Sequence, residues 1–457
     1  MSRSSIASTT RSARRHVSLA LLRHRTHTVS STLTLSLALG IAFAPAASAQ
    51  WTVTGTPVPQ LAAFDSAMHT LMQNHAIPSA QMAVTWQGRL VLAHGYTLNP
   101  GANDIPVQPQ SLFRIASDSK QITSVLINRL IQEGRLSLTA TIGQFIDLTP
   151  PPGKSADPRL ATITIRNLLE HLAGFGDHAS GTTQGFDPMF DDVEIATALG
   201  VTLPVSQAQI IRFMNGKPLL SNPGSTYRYS NYGYLLLGRV IESVTGLRYA
   251  DYMASVFNPI GVWDMRPGRS LLAYRAPGEV FYNSGFVGTT VMDTSGSTVP
   301  FEYGGFNIDN MDSHGGLIVS AVELARYLSN LDAPAAPNAL LNQASIDRMY
   351  SLPQNYPLPY HAGDYYYAEG WAVRDYGNGL RNAWHEGSLP STTAWVVRTE
   401  YGWDYAVILN RRDETGQTDY GSEIDSAMWS AYGQITQWPT SNEFPSALPV
   451  IFRNGFD

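Results

Sequence analysis

The chain lacks cysteine and uses lysine very sparingly. None of its 457 residues is cysteine, which excludes a disulfide framework, a thiol nucleophile and a lipid anchor attached through a cysteine. Its 30 basic residues include only three lysines, and the remainder are arginines. Because an arginine in a protein stays charged whereas a buried lysine can become a neutral amine, the position of each lysine is informative.

Acidic residues are absent from the first 49 residues, which carry six arginines. An apolar run from Leu33 to Ala44 follows, and Ala47-Ser48-Ala49 is typical of a signal-peptide cleavage site. We therefore predict a signal peptide over residues 1–49 and an exported protein, either periplasmic or secreted. A disordered or mitochondrial-type presequence is the alternative.

Long hydrophobic runs are missing beyond residue 49, so the sequence predicts no membrane anchor after signal cleavage. Removal of residues 1–49 moves the formal net charge from −6 to −12. That acidic balance argues against nucleic acid as a partner. The sequence makes no prediction of oligomeric state.

One of the three lysines follows a serine by three residues. At positions i and i+3 of a helix, Ser117 and Lys120 share one face. Apolar residues recur at spacings of three and four over residues 122–131, and Gly134 is a typical stop, so the pair is predicted in the first turn of a buried helix. The hypothesis is a nucleophilic Ser117 with Lys120 as its base. The alternative is an exposed lysine beside a serine N-cap.

Periodicity predicts strands at both ends of the chain and helices in the middle. Residues 81–96 alternate around Gln87-Gly88, which is typical of a β-hairpin. The other predicted strands are 393–399 and 404–410, and the predicted helices are 61–74, 163–172, 230–246, 317–331 and 422–432. The aromatic, glycine-rich stretch 270–312 is typical of long loops that border a binding cleft.

This order predicts an antiparallel sheet built from both chain ends, with a helical lobe inserted between them, in the α/β class of the α+β type. The predicted hydrolase domain covers residues 50–435. Its α/β lobe takes about 50–140 and 315–435, and its helical lobe takes about 141–314. Residues 436–457 are treated as a C-terminal tail.

A second candidate motif, Tyr229-Ser230-Asn231, lies at the start of the helix predicted over 230–246. A tyrosine between two cationic groups can ionise and shuttle a proton. Asn231 can orient Lys120 and bind a substrate carbonyl. Tyr376 also begins a Tyr-x-Asn sequence, but the Asn-Gly that follows favours a hairpin turn there.

A third candidate motif, His385-Glu386-Gly387-Ser388, precedes the late strand pair. A glycine on an edge strand lets a substrate lie close to the backbone, beside a cationic or hydrogen-bonding residue. The backbone N–H groups of Ser388 and Ser117 are predicted to form an oxyanion hole. Taken alone, His385 is more readily explained as an ordinary surface or core histidine.

Taken in order, Ser117-x-x-Lys120, Tyr229-x-Asn231 and His385-x-Gly387 resemble the motifs of the serine β-lactamase and penicillin-binding-protein-like hydrolases. The layout is most similar to the class C type, which includes D-Ala-D-Ala carboxypeptidases, D-aminopeptidases and serine esterases. The resemblance covers about residues 60–435 and includes connecting segments at 163–174 and 315–326.

The resemblance implies a β-lactamase/transpeptidase-like fold, with an antiparallel sheet flanked by helices, an inserted all-helical lobe and the active site between the lobes. It implies Ser117 as the acyl-enzyme nucleophile, Lys120 as general base and Tyr229 as proton shuttle. No metal or other cofactor is implied, and the unclustered histidines agree with this. The implied substrate contacts are Asn231, His385, Gly387 and Ser388.

One departure from the family narrows the expected substrate. Lactamases of this type usually carry Lys-Thr-Gly where this chain has His385-Glu386-Gly387, and histidine there is associated with peptidases and esterases. A neutral imidazole binds a substrate carboxylate less strongly than a permanently charged side chain does. Glu386 would repel carboxylate-bearing β-lactams if it faced the cleft, and would have no such effect if it pointed to the other face of its strand.

The sequence therefore predicts an exported serine hydrolase that acts through an acyl-enzyme on esters or small peptide-like amides. One alternative is a D-Ala-D-Ala carboxypeptidase or β-lactamase that acts on cell-wall peptides or β-lactam antibiotics. A further alternative is a catalytically silent binding protein with the same cleft. The presence of Ser117, Lys120 and Tyr229 together weighs against the silent protein.

Overall fold

A computed structural model describes residues 51–99, 105–176, 187–353, 356, 364–377 and 379–444. The predicted signal peptide and residues 445–457 of the predicted tail lie outside these ranges. The helices are α1 (Ala62–Asn74), α2 (Ser119–Gln132), α3 (Ile165–Leu169), α4 (Asp192–Leu199), α5 (Gln207–Met214), α6 (Asn231–Thr245), α7 (Tyr249–Phe257), α8 (Ala321–Leu331), α9 (Gln343–Met349) and α10 (Tyr420–Tyr432). No helix within the described ranges combines the length and apolar character needed to cross a membrane.

Eight strands form one antiparallel sheet to which both ends of the chain contribute. Their order across the sheet is β1-β3-β2-β13-β12-β11-β10-β9. The strands are β1 (Trp51–Thr54), β2 (Ser79–Trp86), β3 (Arg89–Leu98), β9 (Tyr365–Tyr367), β10 (Ala372–Asp375), β11 (Arg381–Leu389), β12 (Thr392–Arg398) and β13 (Trp403–Leu409). The hairpin predicted at Gln87-Gly88 is present, because both residues adopt positive φ (49° and 74°) as a two-residue turn requires.

The two faces of this sheet differ in their cover. On the outer face, α1 and α10 pack on large side chains such as Trp395 and Tyr405. On the inner face, α8 packs on small ones such as Ala83 and Ala406, which allow a close approach. Helix α2 contributes to the same core on the inner side and packs on α6.

Helices dominate the middle of the chain, and short strands accompany them. A three-stranded sheet has the order β4-β8-β5, and β6 pairs with β7. The β6–β7 hairpin lies within residues 270–312, which showed no clear periodicity in the sequence. These strands are β4 (Phe113–Arg114), β5 (Arg266–Pro267), β6 (Val287–Thr289), β7 (Thr298–Pro300) and β8 (Leu317–Val319).

Two predicted helices are shorter in the structure. The prediction of one helix over 317–331 was wrong at its start, because the buried residues 317–319 form β8 between β4 and β5. Ser320 then caps α8 by accepting from the Glu323 N–H (3.3 Å). The helix predicted over 163–172 is reduced to α3. Thr164 begins it with a capping box, and the positive φ of His171 (55°) turns the chain just beyond its end.

The described part of the predicted tail packs on the α/β part of the molecule. Trp438 stacks on Trp86 of the β2–β3 hairpin, with ring centroids 4.4 Å apart and planes within 3°. The Glu443 N–H donates to the Leu90 carbonyl at 2.8 Å. Residues 436–444 therefore close one end of the sheet.

Candidate active site

Ser117 lies in a 3₁₀ turn (Ala116–Asp118) that connects β4 to α2. The sequence had predicted it in the first turn of the helix itself, and the difference comes from Ala116, whose φ of 48° is left-handed. A non-glycine residue in that region costs roughly 1 kcal/mol, so the surrounding structure must hold it. The Ser119 hydroxyl does so in part, by donating to the Ala116 carbonyl at 2.7 Å. Lys120 does lie in the first turn of α2, as predicted.

Lys120 is completely buried, and three acceptors surround its Nζ. They are Ser117 Oγ at 2.9 Å, Asn231 Oδ1 at 2.7 Å and the His314 carbonyl at 2.8 Å. An ammonium group would donate to all three. A neutral amine would donate to the two carbonyl oxygens and leave its lone pair directed at Ser117 Oγ. The arrangement is therefore suited to a lysine that accepts the serine proton.

Tyr229 contacts the same serine from another side. Its hydroxyl donates to Ser117 Oγ at 2.8 Å, and the Lys120 Nζ lies 4.8 Å from its ring centroid. Ser117 Oγ thus has two side chains able to exchange protons within hydrogen-bond distance. The sequence pattern placed Tyr229 near the site, but only the fold shows that it reaches the serine oxygen.

Asn231 is the first residue of α6, and its side chain bridges two buried titratable groups. Its Oδ1 accepts from Lys120, and its Nδ2 donates to Asp187 Oδ2 at 2.8 Å. Because a carboxylate only accepts, Asp187 fixes which end of the amide faces the lysine. Burial raises the pKa of Asp187, and the hydrogen bond from Asn231 opposes that rise. Sequence reasoning missed Asp187, which lies in a loop-like stretch without periodicity.

His171 packs against the motif formed by Tyr229, Ser230 and Asn231. Its ring lies 4.4 Å from the Tyr229 ring and 4.6 Å from the Tyr367 ring, centroid to centroid. Its Nδ1 accepts from the Ser230 N–H at 3.1 Å, which holds the backbone between Tyr229 and Asn231. Burial lowers the pKa of His171 well below its usual range, so the ring stays neutral. The segment 163–174 pointed to this histidine only as part of the family resemblance.

His385 is buried, and both of its ring nitrogens have protein partners. Nδ1 donates to the Glu386 carbonyl at 2.7 Å, and Nε2 accepts from the Tyr367 hydroxyl at 2.9 Å. Burial, with the nearby Lys120 charge, lowers the pKa of His385 to about 3. With His385 neutral, Tyr229 does not lie between two cations, as the sequence reasoning had placed it. Tyr367 was not identified from the sequence.

Gly387 explains how closely the strand approaches the serine turn. A Cβ at this position would lie 2.0 Å from the Ile115 carbonyl oxygen, so only glycine lets β11 pack on the residues that precede Ser117. The sequence had attributed this glycine to the approach of a substrate. The structure shows that the neighbouring backbone also requires it.

The neighbours of Gly387 in β11 face the other way. Glu386 is exposed and pairs in register with Trp395, whose side chain packs on the outer face of the sheet. Glu386 therefore points away from Ser117. Ser388 is exposed as well, so any role in the oxyanion hole would fall to its backbone N–H and stays a prediction.

The structure thus brings Ser117, Lys120, Tyr229 and Asn231 into one hydrogen-bonded group. His385 and Gly387 lie on the strand beside that group. Within the described ranges, no group of histidine and carboxylate side chains is arranged to hold a metal ion. The arrangement supplies a hydroxyl, two groups that can exchange its proton and a fixed amide, which are the parts required for acyl transfer through a serine.

Comparison with known proteins places the chain in a family. The β-lactamase family model matches residues 64–426, and the chain belongs to that family of β-lactamase-fold serine hydrolases. Protein flp of Staphylococcus aureus (strain COL) is 28% identical over 188 residues, which are 41% of this chain and 34% of that protein. The chain therefore aligns with about a third of the length of that relative.

Solved structures agree with the fold. The octameric penicillin-binding protein homologue from Pyrococcus abyssi superposes with a TM-score of 0.60 at 22% identity, over 82% of this chain and 77% of that chain. The D-amino acid amidase from Ochrobactrum anthropi SV3 complexed with D-phenylalanine gives 0.58 at 20% identity, over 81% and 99%. The predicted resemblance and the predicted fold class are both confirmed.

Proposed function

We propose that the protein is an exported serine hydrolase that acts through an acyl-enzyme on esters or small peptide-like amides. The observation that carries the proposal is the contact of Ser117 Oγ with both Lys120 Nζ (2.9 Å) and the Tyr229 hydroxyl (2.8 Å). A structural serine has no need of two proton-exchanging neighbours, one of them a completely buried lysine. This constellation also argues against a catalytically silent protein.

In the proposed acylation step, Ser117 Oγ attacks the substrate carbonyl carbon and its proton passes to the neutral Lys120 Nζ. The carbonyl oxygen becomes an oxyanion, which the backbone N–H groups of Ser117 and Ser388 would stabilise. The tetrahedral intermediate then collapses, the bond to the leaving oxygen or nitrogen breaks, and that atom takes a proton from Tyr229. Lys120 returns its proton to Tyr229.

Deacylation follows the same route in reverse. A water molecule attacks the acyl carbon while the neutral Lys120 Nζ accepts its proton. The ester bond to Ser117 Oγ breaks, the serine regains a proton, and the acid product leaves. Asn231 holds Lys120 in place throughout, because Asp187 prevents its amide from turning.

The proposal is tested by hydrolysis of p-nitrophenyl butyrate by the mature protein and by its Ser117→Ala variant. Activity in the first and loss of essentially all of it in the second would support a serine acyl hydrolase centred on Ser117. Ser66→Ala, on the exposed surface of α1, is the matched control and should keep full activity. Equal activity in the wild type and Ser117→Ala would overturn the assignment.

A carboxypeptidase or β-lactamase remains the second candidate, because the fold is shared. Two features disfavour it: His385 is neutral, and both its nitrogens are already hydrogen-bonded, so it offers no cation to a substrate carboxylate. Fluorescent penicillin distinguishes the candidates. A stable adduct indicates a peptidase, rapid turnover indicates a lactamase, and no reaction agrees with the proposed esterase or amidase.

A further inference from the structure

A groove of about 460 Å³ runs from the candidate active site onto the outer face of the sheet. Tyr229, His385 and Tyr367 line its site end, and Trp384 and Glu386 line its far end. The two ends belong to opposite faces of the sheet, so the groove must pass round the edge of a strand.

The passage exists because β10 covers only part of β11. Their pairing runs from Asp375↔Arg381 to Ala372↔Trp384 and stops there. From His385 to Leu389, the part of the chain that the structure describes places no strand on that side of β11. A molecule held at Ser117 can therefore extend past His385 to the outer face.

The far end of the groove has aromatic walls. The rings of Tyr365 and Trp384 lie 5.5 Å apart at an angle of 59°, and Tyr365 is 59% exposed. Trp429 of α10 lines the opposite side. Aromatic faces of this kind attract cations as well as apolar groups.

The same end carries an excess of negative charge. Asp419 and Asp425 line it, but Asp419 accepts from the Ser422 N–H at the start of α10 (3.0 Å) and Asp425 accepts from the Tyr405 hydroxyl (2.5 Å). Glu386 differs from both, because its carboxylate has no hydrogen bond or ion pair with any described residue. It is the carboxylate left available to a ligand. Burial and the nearby Asp419 charge raise the pKa of this carboxyl, so a cation bound beside it would favour its charged form.

Arg374 is the one positively charged side chain among the described residues that line the groove, and it does not neutralise Glu386. It forms no ion pair with Glu386, and its backbone pairs in register with Asn382, four residues along β11 from Glu386. Its guanidinium group lies over the Trp384 ring at 5.6 Å. Arg374 thus shows that this aromatic face accepts a cation.

We propose that the far end of this groove is a substrate-binding subsite for an alkylammonium group, with Glu386 facing the charge and Trp384 and Tyr365 facing the methyl or methylene groups. Glu386 and Trp384 lie two residues apart on one face of β11, so a single cationic group can contact both. The inference rests on the proposed function only in that the rest of the substrate must reach Ser117. It names a substrate class: esters or amides with a positively charged extension.

Two pairs of isosteric esters test the subsite, since the cation can be placed on either side of the scissile bond. On the alcohol side, butyrylcholine is compared with 3,3-dimethylbutyl butyrate. On the acyl side, the p-nitrophenyl ester of 4-(trimethylammonio)butyrate is compared with that of 5,5-dimethylhexanoate. Each pair differs only in a nitrogen replaced by carbon, so shape is constant and charge varies. The quantity measured is the ratio of kcat/KM for the cationic ester to that for its neutral partner.

In the wild type, this ratio should exceed one in at least one pair, and Glu386→Gln should lower it by about five-fold, the upper range for an exposed charge pair. Glu423→Gln removes the same charge from α10 outside the groove and should leave the ratio unchanged. The subsite would be overturned if the wild type showed no preference for the cationic ester in either pair. It would also be overturned if Glu386→Gln kept the same kcat/KM ratio as the wild type.

Failure of the proposed function is distinguishable from failure of the subsite. If none of the four esters is hydrolysed, the proposed ester hydrolysis is wrong, and the subsite is judged by calorimetric titration with benzyltrimethylammonium. Binding that weakens about five-fold in Glu386→Gln and not in Glu423→Gln would support it. No binding, or equal binding to all three proteins, would reject it.

Discussion

The two faces of strand β11 are put to different uses. His385 and Gly387 point to the inner face, where one is held by two hydrogen bonds and the other touches the backbone before Ser117. Glu386 and Ser388 alternate with them and are exposed on the other side. One strand thus carries both the wall of the active site and a surface that faces solvent.

The difference between the two faces of β11 shows which side chains can be changed without disturbing the active site. On the inner face, a change of one atom meets backbone or a buried polar network, because Lys120, Asn231 and Asp187 hold one another in place. On the outer face, a side chain can change without disturbing the reacting groups. Most substitutions on the inner face are therefore expected to lower the catalytic rate. Substitutions on the outer face are expected to change substrate preference instead.

The largest effect is expected when Lys120, the proposed general base of the inner-face network, is replaced. Lys120→Arg should lower kcat/KM for p-nitrophenyl butyrate by about 10³-fold, because a guanidinium group cannot accept the serine proton. Lys217→Arg, a surface exchange of the same type, is the control and should retain activity. If Lys120→Arg kept full activity, the proposed base would be wrong.

Removal of one oxygen tests the second proton-exchanging group. Tyr229→Phe should lower kcat by about 10²-fold, since the ring remains packed on His171 while the hydroxyl that contacts Ser117 is lost. The matched control is Tyr376→Phe, at the other tyrosine that begins a Tyr-x-Asn sequence. Steady-state rates that are equal for the Tyr229→Phe variant and the wild type would move the proton route elsewhere.

Adjacent residues of β11 compare the two faces directly. Gly387→Ala should lower the free energy of unfolding by about 2 kcal/mol, because its Cβ would overlap the Ile115 carbonyl oxygen. Ser388→Ala should change it by less than about 0.5 kcal/mol, since that side chain is exposed. Urea unfolding measures both. Similar values for the two variants would show that the faces of β11 are equally tolerant.

The smallest expected effect concerns pH. The pKa of His385 is about 3 in the folded protein, below the usual 6.5, so the unfolded chain binds a proton that the native state excludes between these values. Stability should therefore fall as the pH is lowered through this range. From pH 6.5 to 5.5 this histidine contributes a loss of about 1 kcal/mol, which His385→Gln should not show. If the free energy of unfolding of the wild type and of His385→Gln fell equally with decreasing pH, a neutral, buried His385 would be contradicted.

Local features of this protein were determined by the sequence itself. The apolar spacing predicts helices over 61–74, 230–246 and 422–432, and the structure has them at Ala62–Asn74, Asn231–Thr245 and Tyr420–Tyr432. Gln87-Gly88 likewise predicts its hairpin. The spacing from Ser117 to Lys120 correctly predicts that the two side chains meet, although Ser117 lies in the 3₁₀ turn that precedes α2. Each of these depends on residues close together in the chain, where backbone geometry alone relates one side chain to the next.

The tertiary structure decided the contacts between distant residues. Asp187 meets Asn231 and the His314 carbonyl meets Lys120 only after separate segments pack together, and no periodicity marks either contact. The alternation of β11 was predictable, but which face meets the serine turn was not. That depends on the fit of Gly387 against Ile115, a backbone contact that exists only once the sheet and the turn are assembled.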